Sequence, residues 1–446
     1  MLALSALDGA LLLLTVLWIF RIAYSYSHLK RIRDNHAKNT AINTSHLPIR
    51  IILPVLSEEQ RLEEFVSYFI NTLLKESSTL ELWIVTTERE LKEYPKSTTI
   101  KLAKDFADSH SAVHHIHYPN TNGVMAHQLN YAIKTMPKDG IYAIYNADSR
   151  PEPKTFSWID QHNDNTNQMI FQQYGVYTKN YSYIKTRTMR SLLISNMYWQ
   201  TRWAIGFEYY RAISAITRIS WPVSLRAFNY CIGHGLFISA ELIKDIKFSE
   251  ITTNEDAILG LEVALRGIAV QPVPYFDLSE SPDSVSSIYH QKTNWYQGPL
   301  QSPIYYKILR ARYPAINRSF IALMSAKLFT HAIYWIVGPI VVVYCFVAAL
   351  MLSVTHPYSS LFILAPIAFL ILPALLVNSS LKRLRVDGYP PSQNKQYTFR
   401  LIVNLIVGVI PSYFVHGLAG LRGLILSNKI LHGTKMKTSM VQYKES

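Results

Sequence analysis

Three short constellations in this 446-residue chain hold residue types that can do chemistry. The first is Asn146-Ala147-Asp148-Ser149-Arg150-Pro151, directly after a strand-like run from Ile141 to Tyr145. A carboxylate on a strand-exit loop is a hard oxygen ligand suited to Mg²⁺ or Mn²⁺, and the side-chain carbonyl of Asn146 can join it. Residues of these types also favour turns for conformational reasons alone. The second is Thr253-Asn254-Glu255-Asp256, which opens a helix-like segment running to Arg266-Gly267. Its residues suit an N-cap and the helix dipole, and a helix start is also a rigid mount for a proton acceptor. The third is Gln291-Lys292-Thr293-Asn294-Trp295. Trp295 offers a flat face for stacking, or an anchor at a membrane surface.

The elements that must position these residues show in the apolar pattern. Arg50-Ile51-Ile52-Leu53-Pro54 reads as a buried strand leaving on a loop, and Leu82 to Val85, Val113 to His117 and Ile141 to Tyr145 read as further strands. Glu58 to Leu74 has helical periodicity, with Leu62, Phe65, Val66, Phe69 and Leu73 on one face, and Ala126 to Thr135 reads as another helix. This alternation predicts an α/β domain with a mostly parallel, Rossmann-like sheet. Ligands of such sheets bind beyond the carboxyl ends of the strands. That edge would hold Pro54 to Glu58, Thr86-Thr87 and Asn146 to Ser149. Residues 155 to 230 are rich in aromatics and Arg, with a long helix-like run from Met189 to Ile216. Tyr230 to Ile238 reads as a strand punctuated by Gly233-His234-Gly235, where glycine permits close approach of a ligand and His234 is a candidate contact. His114, His115 and His117 have metal-like spacing, but on a strand only His115 and His117 share a face, so they read as ordinary partly buried histidines.

Composition adds a membrane. The chain is 49% hydrophobic and only 17% charged, which is too apolar for an average soluble enzyme. From Leu328 to Leu381 there is no Asp, Glu, Lys or Arg, room for two crossings of roughly 20 residues around a turn at Thr355 to Ser360. Leu401 to Leu421 is a third uncharged stretch, split by Pro411 between Arg400 and Arg422. One crossing before the domain and three after it would put the basic tail outside, so this stretch reads as re-entrant or interfacial. Gly9 to Phe20, extended by Ile22 to Leu29, has no basic region ahead of it and no cleavage site after it, and reads as an uncleaved anchor. Lys30, Arg31, Arg33 and Lys38 follow it and place the next domain in the cytosol. The net charge of +14 comes partly from residues flanking the apolar segments and suits anionic headgroups. With no nucleic-acid recognition signature, nucleic acid is not an expected partner. Cys231 and Cys345 alone give no disulfide framework. The expected organisation is an anchor at 1–29, a basic linker at 30–47 and a cytosolic domain at 48–300. An interfacial segment at 301–327, a membrane region at 328–427 and a basic tail at 428–446 complete it.

In their order and spacing the three constellations resemble the motifs of membrane family 2 glycosyltransferases, the group of cellulose, chitin and hyaluronan synthases. The resemblance covers roughly residues 50 to 300 and, weakly, His432-Gly433-Thr434-Lys435. It implies a GT-A-like domain in a bacterial cytoplasmic membrane that moves a sugar, with inversion, from a nucleotide-sugar donor to a lipid-linked or growing glycan; a UDP-sugar is the first donor to expect. Asp148 and Asn146 would hold Mg²⁺ or Mn²⁺, and Pro54, Glu58 and Thr86 would join them at the donor. Asp256, beside Glu255, would be the base, and Gln291 and Trp295 would line the acceptor end, where position also places Gly233 and His234. The chain departs from the family pattern at Asn146, where Asp is usual, at Asn294 for Arg, at Met125 for Lys and at Ser57 for Asn. Ile84 to Glu88 also lacks the usual Asp. The donor pocket is therefore less charged than the family norm. The competing reading is a non-catalytic membrane scaffold that keeps the fold to bind a sugar nucleotide or a partner.

Overall fold

In the computed structural model, the described residues are 2–38, 47–77, 79–162, 170–184, 189–218, 220–225, 231–252, 254–356, 362–389 and 395–431. The tail motif at 432–435 and Thr253 lie outside them.

The apolar runs become strands because each is short and most are rich in β-branched and aromatic residues, with the central ones buried on both faces. They are β1 (Ile49–Pro54), β2 (Leu80–Thr87), β3 (Val113–Tyr118), β4 (Ile141–Ile144), β5 (Ile170–Val176), β6 (Leu236–Ser239) and β7 (Val270–Leu278). Together they form one seven-stranded sheet in the order β3-β2-β1-β4-β6-β5-β7. Every pairing is parallel except the two made by β6, which runs antiparallel to β4 and β5. The expected mostly parallel α/β sheet is present. Helices Glu59–Tyr68, Thr99–Ser109 and Met125–Thr135 cover it.

Two strands differ from the sequence expectation. β5 lies in the stretch rich in aromatics and Arg, ahead of the helix-like run, where no strand was expected, and β7 was not foreseen at all. β7 contains Pro272 and Pro274, which ordinarily argue against a strand. They are tolerated because β7 is the last strand of the sheet, and on its outer side the antiparallel bridge Pro151–Asp277 lies beyond both prolines. The run expected as a strand from Tyr230 is a strand only from Leu236, since Gly235 has φ +64 and turns the chain into it.

Among the described residues, four helices are long and apolar enough to cross a membrane: Leu4–Lys38, Arg318–Ser353, Leu364–Leu384 and Thr398–Asn428. The N-terminal helix does not stop at the anchor; it runs from Leu2 to Lys38, into the stretch read as a linker. Its Arg33 reaches the sheet domain, pairing with Glu152 at 2.5 Å and donating to the Pro274 carbonyl at 2.7 Å. The last helix, Lys395–Leu431, is continuous through Pro411. Packing along the helices Arg190–Trp203 and Val285–Leu300 holds it, and neighbouring helices are what make proline tolerable in such a segment.

Candidate active site

Strand polarity brings the predicted residues to one sheet edge. β1, β2 and β4 end there at Pro54, Thr87 and Ile144, and β6 begins there, with Leu236 opposite Ile144. β5 and β7 also end on that edge. The loops Asn146–Arg150, Gly233–Gly235 and Ser279–Ser281 therefore lie together. Gly235 makes this possible: it donates to Ile144 O at 2.7 Å, accepts from Gln173 N at 2.7 Å, and a Cβ there would lie 2.8 Å from Gln173 O.

Asp148 is half-buried on the β4 exit loop, and Asn146 stands two residues before it. Its carboxylate accepts only a long bond from Glu280 N, 3.4 Å. Burial pushes its pKa up, with Arg61 opposing. Around it runs a charged collar in which Lys179 donates to the Asp148 carbonyl at 3.3 Å and pairs with Glu280 at 3.1 Å. Arg61 also pairs with Glu280, at 3.0 Å, and Arg150 with Glu64 at 3.0 Å.

The acidic helix Glu255–Leu265 places both carboxylates in its first turn. Asp256 accepts from Gly233 N at 3.0 Å and from Ala257 N at 2.8 Å. Gly233 allows this approach, since even a Cβ there would stand 3.5 Å from Asp256 Oδ2. Glu255 is buried, and burial together with the adjacent Asp256 pushes its pKa up to about 8. Burial pushes Asp256 up too, against the stabilising N–H groups of Gly233 and Ala257. The adjacent Asp256 thus favours the protonated form of Glu255.

Sequence reasoning missed Asp277. Its fully buried carboxylate accepts from Ser149 Oγ (2.8 Å), Ser279 Oγ (2.9 Å), Arg150 N (2.8 Å) and His234 Nδ1 (3.1 Å). Burial works to raise its pKa, but the bonds from His234, Ser149 and Ser279 outweigh it and hold the carboxyl below its usual value. Burial works to lower His234, and Asp277 outweighs that in turn and raises it. His234 Nε2 stands 3.3 Å from Tyr177 OH, whose ring lies 6.2 Å from that of Trp295. The available signal was an acidic residue at the end of a buried run, the same pattern that marks Asp148.

Gln291 and Trp295 sit on the helix Val285–Leu300. Gln291 Oε1 accepts from Gln200 Nε2 at 2.7 Å and from Lys292 Nζ at 3.2 Å. Lys292 is fully buried with its ammonium 3.6 Å from the Trp295 ring centroid, whereas Asn294 is exposed. Pro54 ends β1, and Glu58 follows Ser57, whose φ is +54. The Thr86 hydroxyl faces inward, bonded to His115 Nε2 (2.7 Å) and His117 Nδ1 (2.9 Å). The two histidines thus share a face as expected.

Residues 227–380, about a third of the chain, match the family model described as glycosyl transferase family group 2. The matched segment holds Gly233, His234, Glu255, Asp256, Gln291 and Trp295, and it supports assignment of the chain as a glycosyltransferase. Among solved structures it is similar to the mannosyltransferase PcManGT from Pyrobaculum calidifontis, in complex with GDP-Man and Mn²⁺. That likeness has 13% identity, covers 91% of this chain and 98% of the other, and has a TM-score of 0.42. TarS 1-349 of S. aureus is similar at 12% identity, covering 87% of this chain and 93% of its own, with a TM-score of 0.35. These are likenesses of outline, and the assignment stands on the sequence match. A comparison with curated proteins found no match.

Proposed function

We propose that the protein is a membrane-bound inverting glycosyltransferase that moves a sugar from a nucleotide-sugar donor to a hydroxyl of a lipid-linked or growing glycan acceptor. The observation that carries this reading is Asp256, held at a helix start by two backbone N–H groups and beside Gly233, so that its oxygens are fixed before substrate arrives. The acceptor oxygen attacks the sugar C1, the bond from C1 to the diphosphate oxygen breaks, and the acceptor proton passes to Asp256. Glu255 takes the proton that the crowded pair must carry and leaves Asp256 as the basic partner. Lys292 and Gln291 hold Trp295 in place for stacking on the acceptor.

The donor set at Asp148 fits a hard divalent cation as a minimal site. Among the described residues no group of three or more His, Cys, Asp or Glu stands ready for a metal. One carboxylate and the Asn146 oxygen are the protein's share, and the remaining positions suit water and diphosphate oxygens. Mg²⁺ or Mn²⁺ held there would offset the negative charge of the leaving diphosphate. A UDP-sugar is the donor to try first. The purified full chain should hydrolyse or transfer from at least one member of a nucleotide-sugar panel in the presence of Mg²⁺ or Mn²⁺. Binding of a sugar nucleotide with no turnover of any member would replace the enzyme reading with that of a scaffold.

A further inference from the structure

One stretch that this chemistry leaves unused lies where two of the long apolar helices meet the sheet domain. The helix Arg190–Trp203 continues through a π-helical turn, Ala204–Tyr209, into Tyr210–Thr217. On one side this run is fastened to the N-terminal helix. Ser25 Oγ donates to the Ile205 carbonyl at 3.0 Å, and the Arg21 guanidinium lies 5.5 Å from the Tyr210 ring centroid. On the other side Arg211 Nη1 donates at 2.6 Å to His331 Nε2 of the helix Arg318–Ser353. Both fastenings lie at a change in composition. Arg21 is the first basic residue of the N-terminal helix, and Lys327 is the last charge before the uncharged stretch from Leu328 to Leu381. Basic side chains at such a change belong at the bilayer surface, with stems in the apolar layer and heads in water.

Past Thr217 the chain turns twice at this level. Trp221 N donates to the Arg218 carbonyl at 2.9 Å, and Leu225 N to that of Pro222 at 2.8 Å, closing the 3₁₀ turn Val223–Leu225. Lys327 Nζ donates to the Ser224 carbonyl at 2.6 Å and pins the turn beside the last charge of its helix. The large apolar side chains of Trp221 and Leu225 stay outside, 48% and 62% exposed. The Arg218 guanidinium lies 4.9 Å from the Trp221 ring centroid. From Arg211 to Ala240 the sequence has no Asp or Glu, while Arg211, Arg218 and Arg226 are all basic. Two helical turns beyond Lys327, on the same side of its helix, Tyr334 is exposed as well. Apolar residues scattered singly on a surface need no explanation. These two are held by hydrogen-bonded turns at the edge of an uncharged helix, and their surface runs on into it.

We propose that Trp221 and Leu225 form a wedge that inserts into the boundary between headgroups and acyl chains of the bilayer, with Arg218 beside them at the lipid phosphates. Tryptophan suits that depth because its ring is apolar and its N–H is polar. A cation at that depth gains from anionic lipid. The wedge fixes the far end of the run that begins at Arg190, and Gln200 on that run donates to Gln291 Oε1 at 2.7 Å. The bilayer thereby sets the height of the helix Val285–Leu300 relative to its surface. This rests on the reading of the four apolar helices as membrane spans.

The test uses the full chain reconstituted into vesicles of equimolar phosphatidylcholine and phosphatidylglycerol, with an environment-sensitive fluorophore on one introduced cysteine. Cys231 and Cys345 are buried, so the label goes to the new site. Leu225→Cys and, as an independent second site, Trp221→Cys should emit to the blue and be quenched by lipids brominated on their acyl chains. Tyr334→Cys should be quenched as the reference on a spanning helix, and Ser111→Cys, exposed on the sheet domain, should not. Quenching at the Tyr334 site with none at Leu225 or Trp221 would overturn the wedge and leave the spans standing. A blue shift at Leu225 without quenching would give the patch to another protein surface, a second copy of this chain included, and would overturn the wedge as well. No quenching at any of the three would defeat the reading of the helices as spans, and the wedge with it.

Discussion

His234 Nδ1 stands 3.1 Å from Asp277 Oδ2, and that contact joins the two halves of the site. On one side Asp277 fastens Ser149 and Arg150, and so the loop that carries Asp148. On the other, His234 follows Gly233, whose N–H holds Asp256. A single buried carboxylate therefore sets the spacing between the Asp148 loop and Asp256.

Asp277→Asn should misplace both. The shifts fix the pH window. His234 is raised, so its contribution is full below about 6.5 and fades as pH rises through its folded value. Asp277 is lowered, so its contribution is present above 3.8 and fades as pH falls through its folded value. The variant should lose most stability between those limits, about 3–5 kcal/mol for breaking a buried pair. Melting of wild type and variant from pH 4 to 9 checks this, and a pH-independent difference would contradict it.

Asp148→Ala should abolish metal-dependent donor binding, and excess EDTA should stop transfer by the wild type. The carboxylate has only one long hydrogen bond, so the fold should tolerate the change. Undiminished turnover in EDTA would remove the metal from the mechanism.

Glu255→Gln tests the raised carboxyl. A carboxyl raised from 4.5 to about 8 favours the protonated fold. The folded state binds more protons across that window, so wild-type stability should fall as pH rises through it. Glutamine cannot ionise, and the variant should melt nearly independently of pH there. An equally steep fall in the variant would place the titration elsewhere.

What the sequence disclosed follows from period and punctuation. β1 to β4 were legible because each is a short apolar run between turn residues, and Asp148 and Asp256 because they sit at a strand exit and a helix start. β7 was hidden by Pro272 and Pro274, harmless only at an edge that sequence does not reveal. Asp277 was hidden with it. Lys292 read as one position in a motif, and its burial against Trp199 and Trp295 depends on the packing of distant helices.

Orientation has a direct assay. Ser111 is exposed on the sheet domain, whereas Cys231 and Cys345 are buried. Ser111→Cys should therefore react with a membrane-impermeant maleimide in inverted vesicles and stay unlabelled in intact cells. Labelling in intact cells would place the domain outside.

Asp256→Asn is the sharpest test of mechanism. Asparagine keeps the size of the side chain, and its oxygen can still accept from Gly233 N or Ala257 N. It loses basicity alone. Loss of a general base costs on the order of 10² to 10⁴ in rate, so kcat should collapse while donor affinity stays within a few-fold. If Asp256 served only the helix start, its removal would cost about 0.3 to 1 kcal/mol of stability and leave an active enzyme. Steady-state transfer and donor binding, measured at equal protein level, decide between the two. Transfer by the variant at a rate comparable to wild type would leave Asp256 as a helix-start residue and require another base.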